Sequence, residues 1–362
     1  MKSGLDDVIA AETRLSDVDG LAGRLVIRGV SLDDLVATSR YEDVAQLLIT
    51  GLFPETTDVD GLMSLIGDAR VSMFDIVTES EPGVFSMPPV EAIRALLARV
   101  PDGADHATAV RLMAAPAVFL PAVLRLRAGK PAIRPDPGLS QAEDILRMLT
   151  GIMPTAEQTA GLDAYLVTIA DHGLNASTFA ARVIASTQAG LTSSVLGALG
   201  ALTGPLHGGA PGPVLDMLDA IGEPANARAW IAAELDRGER LMGFGHRIYR
   251  VRDPRADALK TALKPIVAAG QVDGRRMALA EAVEQAALAL LRDRKPDRPI
   301  ETNVEFYTAL LLDSLGFPRE AFTGVFAIGR VVGWIAHARE QVLDGRLIRP
   351  QSRYTGPLPK AA

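Results

Sequence analysis

TGVFAIGRVVGWIAHAREQVLDG, residues 323–345, reads as one long helix whose apolar face carries a charge. Phe326, Arg330 and Trp334 are four residues apart, so all three share one side of that helix. An arginine in an apolar stripe calls for an anionic partner, either a carboxylate of the protein or one of a ligand. His337, one turn further on, fits plain packing.

Working outward, the same helical character repeats. DGRRMALAEAVEQAALALLRDRK (273–295) is a helix stopped by PDRP. SQAEDILRMLTG (140–151) opens on a capping box of Ser140 and Glu143. YEDVAQLLITG (41–51) is an amphipathic helix ended by glycine, and 156–200 reads as two long buried helices joined near DHGLNAST. GRLVIRGVSLDDL (23–35) reads as a short extended stretch, a turn and a helix start. GKPAIRPDPGLS (129–140) is a loop, and the tail RLIRPQSRYTGPLPKAA is non-helical. Alanine and leucine dominate many segments and long β-branched runs are few, so the composition leans toward helix. The glycine- and proline-rich stretch 204–213 is the expected hinge to a smaller inserted unit.

Composition excludes several classes. A chain of 362 residues has room for roughly one to three domains and a large core. A net charge of −7 argues against broad attraction to nucleic acid. Without cysteine there is no disulfide, thiolate nucleophile or thiolate metal site. LMAAPAVFLPAVL (112–124) is too short for a bilayer and interrupted by prolines, so no membrane span is expected. The start, MKSGLDDVIAAE, has no apolar run behind a basic tip, so a cytoplasmic chain is expected. Walker A and HExxH motifs are missing, and the five histidines lack short metal-ligand spacing, so no metal is expected.

The histidines carry the chemical signal. His207 in LTGPLHGGA (202–210) stands among glycines, which let a backbone or ligand approach closely. A neutral imidazole there would donate to an oxygen that becomes negative during a reaction. His246 in LMGFGHRIY (241–249) precedes Arg247, Arg250, Arg252 and Arg255, which read either as a solvated basic turn or as an anion pocket. His172 sits beside Asp171 and near Asn175 in a polar break. His106 reads as a surface residue at a helix start. Asn303 is a plausible helix cap that puts Glu305 in the first turn, where acids are common for dipole reasons alone. As a general base, Glu305 would need burial to offset that dipole.

The runs DHGLNASTFAARVIAST, GPLHGGAPGPVLDML, LMGFGHRIYRVRDPRA, ETNVEFY, FAIGRVVGWIAHAREQ and IRPQSRYTG, in this order, resemble the citrate synthase family. With the opening AAETRLSDVDGLAGRLVIRG, the likeness spans nearly the whole chain. It implies an all-α, two-domain homodimer with shared active sites, binding oxaloacetate and acyl-CoA and needing no metal or other cofactor. The large domain would be 1–209 with 321–362, and the small one 210–320. His172, His246, Arg255 and Arg330 would hold oxaloacetate, with Arg349 reaching the neighbouring subunit's site. His207 would stabilise the enol of acetyl-CoA, and His246 would polarise the ketone. Arg250, with Gly243 and Phe244, would contact coenzyme A. One position departs from the family's commonest pattern: Glu305 in NVEFY stands where NVDFY carries an aspartate base. The implied reaction is condensation of acetyl-CoA with oxaloacetate to citrate, as in the tricarboxylic acid cycle. The alternatives are 2-methylcitrate synthesis from propionyl-CoA and a non-catalytic CoA- or carboxylate-binding homologue. No extra N-terminal domain of the NADH-inhibited hexameric relatives precedes these runs, so a dimer is expected.

Overall fold

The computed structural model describes residues 8–357 except 56, 206, 208–210, 247, 248, 250, 271–273 and 297–299. Three short strands come first, β1 (Ser16–Asp19), β2 (Arg24–Ile27) and β3 (Val30–Ser31), in an antiparallel sheet of that order. Arg28 and Gly29, both at positive φ, make the tight turn between β2 and β3. Helices make up the rest of the regular structure. They begin with α1 (Leu32–Thr38), α2 (Tyr41–Ile49), α3 (Val59–Thr78), α4 (Pro82–Phe85) and α5 (Pro89–Leu97). Next come α6 (His106–Arg127), α7 (Gln141–Thr150), α8 (Ala156–Ile169), α9 (Ala176–Ala185) and α10 (Leu191–Leu202). The last six are α11 (Pro211–Ile221), α12 (Ala227–Asp236), α13 (Pro254–Ala268), α14 (Gly274–Arg294), α15 (Val304–Ser314) and α16 (Phe322–Asp344).

The all-α expectation holds, with the small sheet at its start. Helix α16 is the hub, packed against α2, α6, α8, α9 and α10. Its Trp334 is 1% exposed, and emptying such a site typically costs about 3–5 kcal/mol. Helix α13 lies against α15 and also against α8, and α11 rests on α15. The Ser140–Glu143 capping box forms as read.

Three expectations change. The stretch 156–200 forms three helices, because Asp102, from the loop before α6, accepts from Thr192 N and Ser193 Oγ and so caps α10 from outside the local sequence. Pro116 and Pro121 lie inside α6 without ending it. At about 1.5 Å per residue, its 22 residues are long and apolar enough to cross a bilayer, yet 89% of that window is buried inside the protein. His106 is buried, its ring 5.5 Å from that of Phe53, so it is no surface residue.

Candidate active site

Four segments bring most of the sequence-predicted residues together. The turn between α8 and α9 carries His172, and α16 carries Arg330. The loop into α13 carries His246, the first turn of α13 carries Arg255, and the first turn of α15 carries Glu305. The ring centroids of His172 and His246 are 6.0 Å apart. Tyr249 packs against both, 5.7 Å from His172 and 4.8 Å from His246, with its Oη 3.1 Å from His172 Nε2. The sequence reading passed over Tyr249, whose only signal was its place inside the glycine–histidine run.

Asp253 organises the arginine side. It caps α13, with Pro254 at the first helical position, a pattern the sequence could have yielded. Arg255 Nε and Nη2 donate to its two oxygens at 3.0 and 2.8 Å, and Val304 N donates to Oδ2 at 3.2 Å. This buried carboxylate therefore ties the arginine loop to the start of α15. Burial would raise its pKa, but Arg255 and His246 hold it below the usual carboxylate range.

Proton counting makes His246 informative. Tyr249 N donates to His246 Nδ1 at 3.0 Å, so a neutral ring keeps its proton on Nε2. Nε2 lies 3.1 Å from Arg255 Nη2, which is also a donor. Burial, and then Arg255, bring the His246 pKa down to about 4, so the ring is neutral at pH 7. Two N–H groups thus face each other, and an oxygen accepting from both would relieve the conflict.

Arg330 is 1% exposed. Its Nε donates to Ile169 O at 2.5 Å, and its guanidinium stacks 4.7 Å from the Phe326 ring centroid. Among the described residues no carboxylate lies within 4.0 Å of it. Burial lowers its pKa to about 10, against the pull of Asp171, which leaves it charged at neutral pH. Burial comes first and the charge of Arg330 second in lowering the His207 pKa. Burial, Arg255 and then Arg330 lower that of His172.

His207 Nε2 is 2.8 Å from Ser177 Oγ, which also accepts from Trp334 Nε1 at 3.1 Å and lies 2.8 Å from Asn175 Oδ1. The single hydroxyl proton of Ser177 serves either Asn175 or His207. When it goes to His207 Nε2, the neutral ring carries its own proton on Nδ1, ready to donate to an oxygen. Ser177 and Trp334 join the site through this contact, a link that no local spacing announces.

Glu305 follows the cap Asn303, whose Oδ1 accepts from Glu305 N at 3.0 Å. Burial raises the carboxyl pKa above its ordinary value, Arg255 opposing and Asp253 reinforcing. Desolvation therefore outweighs the lowering by Arg255 and by the hydrogen bond to Asn303. The turn is docked by backbone bonds: Gly245 N donates to Glu301 O at 2.8 Å, and Asn303 N to Gly243 O at 2.9 Å. Gly243 has φ +84, and a Cβ there would lie 2.9 Å from Phe306 Cβ. The Phe244 ring packs 5.4 Å from that of Phe306.

The remaining candidates are placed elsewhere. Arg252 pairs with Asp257 and approaches Glu284, so the arginine cluster is not one anion grip. Arg247 and Arg250 lie outside the described residues. Arg349 is exposed on the tail and makes no hydrogen bond or ion pair among the described residues. His337 has more than a packing role, joining Arg182 to Asp171 through Nδ1 at 2.8 Å and Nε2 at 3.2 Å. Among the described residues no group of three metal-ligating side chains gathers.

The family model described as "Citrate synthase, C-terminal domain" matches residues 4–351. A relative named "Putative citrate synthase 2" from Mycobacterium tuberculosis is 40% identical over 368 residues, spanning 99% of this chain and 94% of the relative. A 2-methylcitrate synthase of the same organism is 38% identical, spanning 98% and 91%. A solved ternary complex of carboxymethyl coenzyme A and oxaloacetate with citrate synthase from Thermoplasma acidophilum superposes with a TM-score of 0.86. The two are 28% identical, over 100% of this chain and 98% of that one.

Proposed function

The chain belongs to the citrate synthase family, and on that premise we propose that it condenses acetyl-CoA with oxaloacetate and water, giving citrate and CoA. It is a citrate synthase-type transferase; the acyl substrate and the residue roles are our reading. The observation that carries this reading is Arg330, a buried cation without a carboxylate within 4.0 Å among the described residues, in one pocket with His172, His246 and Arg255. A substrate carboxylate supplies the ion-pair partner that no described residue gives Arg330.

The chemistry follows from the proton positions. Glu305, its pKa raised by burial, takes a proton from the thioester methyl group. Neutral His207 donates to the thioester oxygen as it gains charge. The enol carbon then bonds to the ketone carbon of oxaloacetate, whose oxygen is polarised by His246 Nε2–H and receives that proton. Arg255 and Arg330 neutralise the two carboxylates. Water cleaves the carbon–sulfur bond of citryl-CoA, releasing citrate and CoA. Residues 210–320 act as a small domain closing on the rest, 1–209 and 321–362, which keeps water from the enol until the bond has formed. Arg250, Gly243 and Phe244 are assigned to coenzyme A.

Thiol release with oxaloacetate tests the substrate. Turnover with both acetyl-CoA and propionyl-CoA is expected, with higher kcat/KM for acetyl-CoA. The 38% identical 2-methylcitrate synthase favours a second reading, because one methylene is discriminated by only about 1–3 kcal/mol. A preference for propionyl-CoA would establish that reading. Binding of both substrates without thiol release would make the chain a non-catalytic homologue.

The working form is a homodimer in which Arg349 serves the neighbouring site; its exposure on an extended tail suits that reach. Mixing Arg349→Ala with His246→Ala subunits should restore one intact site per heterodimer. Mixed dimers as inactive as their parents, after verified exchange, would refute the shared site.

A further inference from the structure

A second buried carboxylate sits behind the turn that carries Glu305, and the reaction above does not use it. Glu284, in α14, is 5% exposed. Its Oε1 accepts from Thr302 Oγ1 at 2.8 Å, and its Oε2 accepts from Tyr307 Oη at 2.5 Å and Lys260 Nζ at 2.8 Å. Arg252 Nη1 stands 3.6 Å from Oε1. Burial would raise the Glu284 pKa, but Lys260, Tyr307 and Thr302 hold it below the usual range. Four segments thus converge on one charge: α13, the loop behind His246, the turn before α15 and α15 itself.

The placement of the donors matters more than their number. Thr302 lies three residues before Glu305 and Tyr307 two after it. One carboxylate on another helix therefore pins the chain on both sides of Glu305. A glutamate has three rotatable side-chain bonds, so where its carboxylate arrives depends on how firmly its backbone is fixed. Misplacement by about 1 Å can cost about 100-fold in rate. Asp253 fixes Val304 from the pocket side, and Glu284 fixes the flanks from behind.

We propose that Glu284 is a positioning residue that, through Thr302 and Tyr307, sets the reach of Glu305 toward the acyl-CoA methyl group. This rests on Glu305 being the base. Glu284 touches no substrate; its anchoring of the base determines how well proton abstraction runs, while oxaloacetate is held by other groups.

Solvent exchange of the acetyl-CoA methyl protons, followed by NMR with a non-reacting oxaloacetate analogue bound, isolates the step. Glu284→Gln should slow exchange roughly 100-fold, and Thr302→Val and Tyr307→Phe roughly 10-fold each, with kcat falling in parallel. The dissociation constant of the analogue should stay within about 3-fold, a split that general loosening of the fold would not produce. Thr302→Val added to Glu284→Met should cost little more than Glu284→Met alone, because methionine already leaves the Thr302 hydroxyl without its carboxylate acceptor. Should Glu284→Gln fail to fold, Thr302→Val and Tyr307→Phe decide the matter, since each removes only a hydroxyl contact. Exchange within about 2-fold of the parent in the folded variants overturns the inference, as does equal weakening of analogue binding. Glu305→Gln separates the two claims. If it leaves exchange intact, the base assignment falls and this inference with it. If it abolishes exchange while the Glu284, Thr302 and Tyr307 variants do not slow it, only the positioning role falls.

Discussion

Arg182, on α9 against α16, and Arg330, on α16 itself, are both buried, and the protein treats them in opposite ways. Arg182 Nη1 donates to Glu340 Oε2 at 2.7 Å and to His337 Nδ1 at 2.8 Å, and its Nε donates to Gln341 Oε1 at 3.0 Å. His337 passes its Nε2 proton toward Asp171, which also accepts from Ser16 Oγ at 2.5 Å. Arg330 has one backbone carbonyl and an aromatic face. Two carboxylates repeat the contrast: Asp253 is saturated by Arg255 and Val304, while Glu305 makes no ion pair among the described residues and has a pKa raised by burial. Arg182 and Asp253 are matched within the fold, whereas Arg330 and Glu305 form no ion pair among the described residues, and our reading gives these two to the substrates.

The strongest challenge to that division is Glu305→Gln. The amide keeps size and polarity but accepts no proton, so kcat should fall about 100- to 10,000-fold with oxaloacetate binding and thermal midpoint nearly unchanged. Glu305→Asp should fall between, because it retracts the charge into a pocket built for the longer side chain. Steady-state kinetics beside a melting curve would show whether Glu305 is dispensable to the fold.

Arg330→Met comes next. Losing one partner of a buried charge pair costs about 2–5 kcal/mol of binding, which should appear as a higher KM for oxaloacetate. Stability of the unliganded protein should hold or rise, since an unmatched buried cation is removed. A large drop in melting temperature would show that Arg330 belongs with Arg182. The mirror experiment is Arg182→Gln, which strands Glu340. It should destabilise the protein by about 3–5 kcal/mol, read by denaturant unfolding, and leave the KM for oxaloacetate in place.

The smallest effect extends the contrast to a buried acid on α8. Asp163 accepts from Tyr41 N at 3.0 Å, and burial, helped by the nearby Glu42, raises its pKa to about 7. Unfolded, the group titrates near about 4, so between these values the folded state binds the extra proton. Stability should therefore fall as pH rises from about 4 to about 7. Asp163→Asn should flatten that slope in unfolding curves taken across the window.

Much of this was legible in the sequence because helical periodicity and short motifs are local. The face shared by Phe326, Arg330 and Trp334, the cap at Asn303 and the glycine setting of His246 needed no tertiary information. What escaped is what distance decides. Asp102 capping α10 splits one expected helix in two, from ninety positions away in the chain. The prolines of α6 suggested an interruption, yet packing against α3, α5, α7 and α16 keeps the helix whole. In the run of four arginines, spacing could not show that Arg252 would be taken by Asp257 while Arg255 faced the pocket. Ser177, Tyr249 and Glu284 are ordinary residues in ordinary positions until the chain folds His207, His246 and Thr302 against them.

Gly243 has a consequence for how this chain tolerates change. Every single-codon neighbour of glycine adds at least a Cβ, and at 243 that atom would press on Phe306, at the start of α15, with the backbone already at φ +84. Gly238 has a similar φ of +79 but nothing within 4 Å of a Cβ. A saturation library should therefore recover asparagine and other small polar residues at 238 and almost nothing at 243. The two glycines, five residues apart, would mark the line between a position that drifts freely and one that is held in place by the active site.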